Sequence, residues 1–137
     1  GSTLFVVPNA LILEPHRFAR FLSDNRVSHL DTTPSYLSAI DPSELVTLKR
    51  VVFGGEYLSR ELFEKYKRYI PGTINEYGPT ETTICSTSFS SGTESTVPIG
   101  KPLGNTKAYV VDSKMGPLPV GVIGELYLSG VGVTRGY

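Results

Sequence analysis

The stretch RVVFGGEYLSRELFEKYKRYIPGTINEYG, residues 50–78, decides the fold. It opens with a β-rich apolar run ending in two glycines, continues with a helix predicted over 59–69, and closes with a second β-rich run, TINEYG. Ser59 is a typical helix N-cap, and Leu62 and Tyr66 mark an apolar face at helical spacing. Strand, helix and strand in this order predict a parallel sheet with right-handed crossovers.

The same alternation extends towards the N-terminus. We predict strands over 2–8 and 27–33, separated by a helix over 14–26 whose apolar residues recur at helical spacing. Pro34 is placed as the first residue of a short helix that runs to Ile40. This part of the chain therefore continues the predicted α/β pattern.

Beyond residue 91 the helical pattern stops. TKAYVVD, residues 106–112, and GELYLSG, residues 124–130, predict β-strands on either side of a connection rich in Gly and Pro. We therefore expect two parts, an α/β region over 1–91 and a β-rich region over 92–137.

Composition excludes several functional classes. The 137 residues carry 13 basic and 13 acidic side chains, and no basic run stands out, so neither nucleic-acid binding nor membrane-surface binding is expected. One cysteine excludes an intramolecular disulfide. No apolar run approaches the ~18 residues of a membrane span, and no secretory signal opens the chain, so a cytoplasmic location is expected.

The run NEYGPTETT, residues 75–83, is the strongest candidate for chemistry. Gly78 and Pro79 interrupt regular structure, which predicts that the amides and hydroxyls of the following threonines donate to a ligand. These threonines are Thr80, Thr82 and Thr83. Glu81 adds a carboxylate, so hydroxyl donors and a hard oxygen ligand would meet a magnesium polyphosphate. Tyr77 offers a flat face for a base. A polar β-turn followed by a Thr-rich strand is the alternative.

Further polar residues and glycines follow the predicted strands at their carboxyl ends. They are Asp31, Gly54, Gly55, Glu56, Glu76 and Tyr77. Ligands of doubly wound sheets bind at this edge. The GGE sequence suits the close approach of a flat ligand, because glycine lets the ligand lie against the backbone. A tight strand-to-helix turn is the alternative.

Three motifs resemble those of the adenylation domains of nonribosomal peptide synthetases, within the superfamily of adenylate-forming enzymes. Residues 75–83 contain the family's YGPTE core. VPIGKPLGNTKAYVVD, residues 97–112, is similar to IGxPxxNTxxYVxD, and GELYLSGVGVTRGY, residues 124–137, is similar to GELxIxGxGxARGY, with Thr134 where Ala is usual. The motifs occur in the family's order, and the resemblance covers essentially the whole chain.

The resemblance implies a fold and an extent. The fold would be a flavodoxin-like parallel sheet with flanking helices, followed by the first β-strands of a truncated distorted barrel. The family's phosphate loop and its catalytic lysine have no counterpart among these residues. We therefore expect an internal fragment of a larger domain, inactive by itself.

The resemblance also implies roles for individual residues. Thr80 would contact phosphate and Glu81 would bind Mg²⁺, both as catalytic residues, while Asn75 would be a structural hydrogen bonder. The nucleotide-binding set is Gly55, Glu56, Tyr57, Asn75, Tyr77, Gly78 and Thr80. The amino-acid pocket is Asp31, Val52, Gly54, Glu76, Ile84 and Cys85.

Two carboxylates in one pocket, from Asp31 and Glu76, would need a cation between them or a shared proton. This predicts an amino acid with a basic side chain, such as arginine, lysine or ornithine, as substrate. As an alternative, Asp31 is a strand-end residue bonded to Thr32 or Thr33.

The implied reaction uses ATP and Mg²⁺ to convert an amino acid to aminoacyl-AMP. The aminoacyl group would then load onto the thiol of a peptidyl carrier protein, beside the remaining synthetase domains. An acyl-CoA ligase is the alternative enzyme, but Pro79 and the pair Asn105–Thr106 favour the peptide-synthetase branch. A binding subdomain without catalytic activity is the third possibility.

Overall fold

The computed structural model describes residues 1–136, which fall into two compact units. The first unit comprises Gly1–Asn75 and Ser90–Pro98, and the second comprises Glu76–Phe89 and the chain from Ile99 onwards. Tyr137, the last residue of the third motif, lies outside the described residues. The division into 1–91 and 92–137 differs from these units and stays a prediction.

The first unit alternates helices and strands along the chain. In order, the elements are α1 (Asn9–Ile12), α2 (Pro15–Asp24), β1 (His29–Thr32), α3 (Pro34–Ser38), a 3₁₀ turn (Pro42–Glu44), β2 (Arg50–Phe53), α4 (Arg60–Tyr69) and β3 (Gly72–Tyr77), whose last two residues belong to the second unit. β1, β2 and β3 pair in parallel, with Asp31 opposite Val52 and Val52 opposite Ile74. The predicted parallel arrangement of these strands is confirmed.

Helix α4 shows why the sequence forms these elements. The Ser59 hydroxyl accepts a hydrogen bond from the Leu62 amide at 3.2 Å, so the helix is capped as predicted. Phe63 and Tyr66, one helical turn apart, are buried, and the Tyr66 ring meets Phe53 of β2 edge to face at 5.2 Å. One face of the helix is thus fixed against the sheet.

The core of the first unit is apolar and includes the side chains that join α4 to β2. Its deeply buried apolar side chains include Phe18, Ala19, Leu22, Leu37, Ile40, Leu45, Val51, Phe53, Leu58, Phe63, Tyr66 and Ile70. Burial of all of β2 except its first residue is typical of a parallel strand covered on both faces.

Residues 2–8 do not form the predicted strand. Leu4 and Val6 are 88% and 83% exposed, and helix α1 begins at Asn9. The residue types favour a strand, but a strand is stable only when its backbone pairs with a neighbour, and these residues pair with no described strand. The prediction is therefore wrong for this segment.

The second unit is β-rich. It contains β4 (Thr87–Phe89), β5 (Lys101–Pro102), β6 (Thr106–Val111) and β7 (Glu125–Gly130). β6 and β7 form an antiparallel two-stranded sheet with Thr106 opposite Gly130, which confirms the two strands predicted there.

The five-stranded sheet has the order β1-β2-β3-β4-β5, and β4 and β5 are antiparallel. The sheet is therefore mixed, with β4 and β5 added to the parallel strands that the sequence predicts. β4 and β5 were not predicted, because strands of three and two residues are too short to show a periodicity and Pro102 disfavours a strand. The α/β class with flanking helices and a small additional sheet stands as predicted.

Candidate functional site

The carboxyl ends of β1 and β2 bring together half of the predicted amino-acid pocket. Asp31 and Val52 are register partners, so their side chains lie side by side on one face of the sheet. Asp31 is exposed and Val52 is 7% exposed. The Gly54 amide donates to the Thr32 carbonyl at 3.2 Å, which holds the residue just beyond β2 against the end of β1. These three predicted pocket residues therefore share one edge.

The turn after β2 has a structural role that the sequence did not reveal. Gly55 has φ +79°, a conformation that favours glycine, and a Cβ there would make only an ordinary contact with Thr33 at 3.9 Å. The Glu56 carboxylate accepts hydrogen bonds from the Ser35 hydroxyl at 2.8 Å and the Ser35 amide at 2.9 Å. These bonds hold the pKa of Glu56 below its usual value.

Both Glu56 oxygens thus accept a hydrogen bond from Ser35 in the first turn of α3. Residues 35 and 56 are far apart in the sequence and share no motif, so no local signal could have identified the pair. Tyr57, next along the chain, is 76% exposed, and its ring remains accessible.

Asn75 is a structural hydrogen bonder, in line with the role that the resemblance implies. Its side chain is 7% exposed, and its Nδ2 donates to the Pro98 carbonyl at 2.9 Å. The residue therefore ties β3 to the 90–98 segment within the first unit.

In the second unit, Gly78 allows the chain to turn tightly after β3. A Cβ on Gly78 would collide with the Ile84 carbonyl and would lie 2.7 Å from the Ser86 nitrogen. The bare glycine lets the Ser86 amide donate to the Tyr77 carbonyl at 2.8 Å. Tyr77 itself is 40% exposed. The loop over 78–86 therefore folds back closely on the end of β3.

Most of the threonines in this loop are bonded within the protein, which corrects the expectation that they donate to a ligand. Thr80–Thr82 form a 3₁₀ turn. The Thr82 hydroxyl donates to the Pro79 carbonyl at 3.1 Å and accepts from Ser86 at 2.6 Å, while the Thr83 hydroxyl donates to the Gly132 carbonyl at 2.7 Å. The amides of Thr82 and Thr83 are bonded to Pro79 and Thr80. Short polar turns satisfy their own groups in this way.

Thr80 and Glu81 are different. Neither the Thr80 hydroxyl nor the Glu81 carboxylate has a hydrogen bond or ion pair with any residue of the described chain, and both residues are exposed. The turn therefore presents one hydroxyl and one carboxylate to solvent, next to each other in sequence. These are the two residues that the resemblance placed at phosphate and metal.

Ile84 and Cys85 are the last two predicted pocket residues. Ile84 is part of an unusual bend, and Cys85 follows it. Thr83 has φ +60° and Ile84 has φ +72°, consecutive left-handed conformations in residues other than glycine. Ile84 is 71% exposed and Cys85 is half-buried. Glu76 lies before the loop, at the half-buried end of β3.

The donor set fits magnesium carried on a polyphosphate. Mg²⁺ usually keeps several waters and binds through one or two carboxylates plus phosphate oxygens, which Glu81 beside a threonine hydroxyl can match. Among the described residues, no group of three or more His, Cys, Asp or Glu side chains could hold a metal by itself. One carboxylate next to one hydroxyl thus fits an ion whose remaining ligands are phosphate oxygens and water.

A cavity of the first unit lies away from the predicted site residues. It has a volume of about 570 Å³ and is lined by residues near the N-terminus together with Asn25, Arg26, Val27, Ser28 and His29. None of these is a predicted site residue. The cavity borders the amino end of β1, whereas ligands of such sheets gather at the carboxyl ends.

Comparison with known proteins defines the class. The model of the AMP-binding enzyme family matches residues 1–137, so the chain belongs to this family. It is 40% identical over 141 residues to N-(5-amino-5-carboxypentanoyl)-L-cysteinyl-D-valine synthase of Amycolatopsis lactamdurans, and 34% identical over 145 residues to malpinin synthetase of Mortierella alpina. All of this chain is covered, but only 4% and 2% of those proteins.

Solved structures narrow the class further. The chain is similar to holo-AB3403, a four-domain nonribosomal peptide synthetase bound to AMP and glycine, with a TM-score of 0.82 and 30% identity over 96% of this chain and 10% of that one. It is also similar to the AMPPNP-bound peptide synthetase FmoA3, with a TM-score of 0.79 and 28% identity over 90% of this chain and 15% of that one. The resemblance to a nonribosomal peptide synthetase adenylation domain is confirmed.

Proposed function

We propose that these residues supply an amino-acid-selecting wall and a nucleotide-binding turn to an adenylation domain. In the proposed reaction, the carboxylate of an amino acid attacks the α-phosphorus of ATP, which forms aminoacyl-AMP and releases pyrophosphate. One observation carries the proposal. Within a loop whose other threonine hydroxyls are bonded internally, Thr80 and Glu81 keep their side chains open.

ATP and Mg²⁺ are the proposed cofactors. Glu81, with the Thr80 hydroxyl beside it, would hold the ion, and the bound ion would offset the negative charge of the phosphates. Tyr77 has a partly exposed ring on which adenine could lie. The similar structures of holo-AB3403 and FmoA3 are bound to AMP and AMPPNP, which supports a nucleotide here.

The proposed substrate is an amino acid with a basic side chain. Asp31 is an exposed carboxylate at the end of β1, beside Val52. Alignment through the family motifs assigns Glu76 to the same pocket. In a pocket closed around its substrate these two carboxylates would repel each other, so a cationic side chain such as lysine, arginine or ornithine would be selected.

Pyrophosphate exchange with the twenty standard amino acids and ornithine tests this proposal, using a complete adenylation domain that carries this sequence. We expect a basic amino acid to give the highest kcat/KM. Asp31→Asn should lower that value about 10- to 100-fold, since discrimination by one charged contact amounts to ~1–3 kcal/mol. Asp24→Asn, an exposed aspartate on α2, is the matched control. Strong activation of a neutral aliphatic amino acid, and of no basic one, would refute the substrate proposal.

The proposed second step transfers the aminoacyl group to the thiol of a peptidyl carrier protein. The relatives are peptide synthetases, and the structural relative holo-AB3403 has four domains, which supports a carrier partner in the same assembly. Mass spectrometry separates this proposal from the acyl-CoA ligase alternative. We expect the aminoacyl mass to appear on the carrier protein and no aminoacyl-CoA to form.

We further propose that the 137 residues alone do not catalyse exchange. No TSGTTGxPK-like phosphate loop occurs among them, and the transition state of phosphoryl chemistry depends on such cationic and amide contacts.

None of the described helices is long and apolar enough to cross a membrane.

A further inference from the structure

The bend at Thr83 and Ile84 is held in a conformation that its residues do not favour. Both residues are β-branched, and both have φ in the left-handed region, at +60° and +72°. Non-glycine residues keep such conformations only where the surrounding structure holds them there. The contacts of this bend therefore show what fixes it.

Two hydrogen bonds join the loop to the segment that follows β7. The Thr83 hydroxyl donates to the Gly132 carbonyl at 2.7 Å, and the Thr134 amide donates to the Glu81 carbonyl at 2.8 Å. We call this pair of bonds the clasp. One bond comes from Thr83 itself and the other reaches Glu81, so the clasp holds the chain at the bend and two residues before it. All four residues belong to the second unit.

The packing around the clasp leaves little freedom. A Cβ on Gly132 would lie 3.0 Å from the Thr82 carbonyl oxygen, so glycine allows the two segments to touch. A space of only about 10 Å³ remains between them, lined by residues of both segments. The segment is also anchored at its start, because Gly130 is the register partner of Thr106 in β6. The β6–β7 hairpin thus supports the loop through residues 130–134.

We propose that Thr83 is a positioning residue, whose hydroxyl holds the bend and so places Glu81 on one side and Ile84 on the other. Glu81 has no side-chain partner in the described chain, so its position depends on the backbone of the loop. The inference rests on the proposed function of Glu81 in metal binding and of Ile84 in amino-acid selection. It adds that one hydroxyl, bonded to the Gly132 carbonyl, couples the positions of Glu81 and Ile84.

Amide hydrogen exchange tests the clasp without any catalytic assay. Thr83→Val removes the hydroxyl and keeps the side-chain shape, and Thr83→Ser keeps the hydroxyl. The Cys85 amide donates to the Thr83 carbonyl at 2.9 Å, so it reports on the bend, as the Thr134 amide reports on the clasp. We expect both amides to exchange about fivefold faster in Thr83→Val, which corresponds to one hydrogen bond, and at the wild-type rate in Thr83→Ser. Thr93→Val, on the exposed loop after β4, is the control and should change neither amide.

A second substitution keeps the test decisive if Thr83→Val does not fold. Gly132→Ala pushes a methyl group towards the Thr82 carbonyl, whereas Gly104→Ala places one where nothing lies within 4 Å. We expect faster exchange at Thr134 in Gly132→Ala alone. Wild-type exchange at Thr134 and Cys85 in folded Thr83→Val, or in folded Gly132→Ala, would overturn the clasp.

The functional measurement uses a complete adenylation domain that carries this sequence. In Thr83→Val we expect both the Mg²⁺ concentration for half-maximal pyrophosphate exchange and the KM for the amino acid to rise severalfold, with recovery in Thr83→Ser. An active wild type whose two constants are unchanged in Thr83→Val would overturn the positioning role alone. A wild type without any exchange would instead contradict the proposed function.

Discussion

Among single residues, Glu81 is the exposed carboxylate that we propose binds the metal in the loop after β3. Its carboxylate is open, whereas the hydroxyls of Thr82 and Thr83 are bonded within the protein. Removal of a group that stabilises charge in a transition state costs roughly 10²–10³-fold in rate. We therefore predict that Glu81→Gln lowers pyrophosphate exchange about 100-fold in a complete adenylation domain, and raises the Mg²⁺ concentration required.

The control for this prediction is Glu61→Gln, which neutralises an exposed carboxylate in the first turn of α4. We expect wild-type exchange there. Equal Mg²⁺ requirements in Glu81→Gln and the wild type would contradict the metal role of Glu81, whatever the change in maximal rate.

Tyr66 shows how one buried hydroxyl holds an element in place. The side chain is fully buried, and its hydroxyl donates to the carbonyls of Leu37 at 3.0 Å and Ile40 at 3.2 Å, at the end of α3. Burial raises the pKa of the Tyr66 phenol well above its usual value, so it stays a neutral donor. We predict that Tyr66→Phe lowers the free energy of unfolding by about 1–3 kcal/mol, because two buried carbonyls lose a donor.

Urea denaturation of the chain measures this loss. Tyr69→Phe is a matched control, since it makes the same change on the same helix at a side chain that is 56% exposed. Its effect should stay within about 0.5 kcal/mol. Similar losses in the two variants would show that the hydroxyl bonds of Tyr66 contribute nothing specific.

At the scale of elements, sequence reasoning succeeded where the signal was local. Helix α4 has a cap and an apolar face within eleven residues. The residues of β6 and β7 show a β-rich pattern within each segment. It failed where stability depends on a partner distant in sequence. Residues 2–8 have strand composition without a paired strand, and β5 has only two residues.

The candidate site follows the same rule. The adjacency of Asp31 and Val52 could be predicted, because parallel strands end at a common edge. The bonds of Glu56 to Ser35 and of Thr83 to Gly132 join residues 21 and 49 positions apart, and neither has a sequence signature. The hydroxyls of Thr82 and Thr83 were therefore misassigned as ligand donors, since a motif does not reveal which of its groups the fold already uses.

One contact between elements predicts that stability depends on pH. His16 Nδ1 on α2 lies 3.0 Å from Glu44 Oε2 in the 3₁₀ turn, and the His16 side chain is largely exposed. The hydrogen bond to Glu44, helped by the charge of that carboxylate, raises the pKa of His16 above its ordinary 6.5. The pair therefore stabilises the fold below about pH 6.5, and this contribution disappears as the pH rises through the raised pKa of His16.

An NMR titration of the His16 ring checks this directly. We predict that Glu44→Gln moves the midpoint down towards 6.5. Glu14→Gln, which removes the carboxylate bonded to Arg17 on the same helix, should leave the midpoint where it is. An unchanged midpoint in Glu44→Gln would mean that the contact does not persist in solution.

At the scale of the whole molecule, net charge and exposed apolar surface together determine whether copies of the chain associate. The formal net charge is zero at pH 7, so little electrostatic repulsion keeps copies of the chain apart. Large apolar side chains are exposed in the connection between β6 and β7, where Val120 is 104% and Ile123 is 98% exposed. Surfaces of this kind favour association.

We predict that the chain self-associates at pH 7 and that Val120→Lys with Ile123→Lys weakens the association at least tenfold, because burial of two such side chains contributes more than the ~1.4 kcal/mol of a tenfold change. Leu13→Lys with Val46→Lys is the matched control. It adds the same two charges at side chains that are 84% and 77% exposed in the first unit. Sedimentation velocity over a concentration series should show a larger loss of association in the first pair than in the second. Equal losses would mean that net charge alone governs association and that the β6–β7 connection takes no part in it.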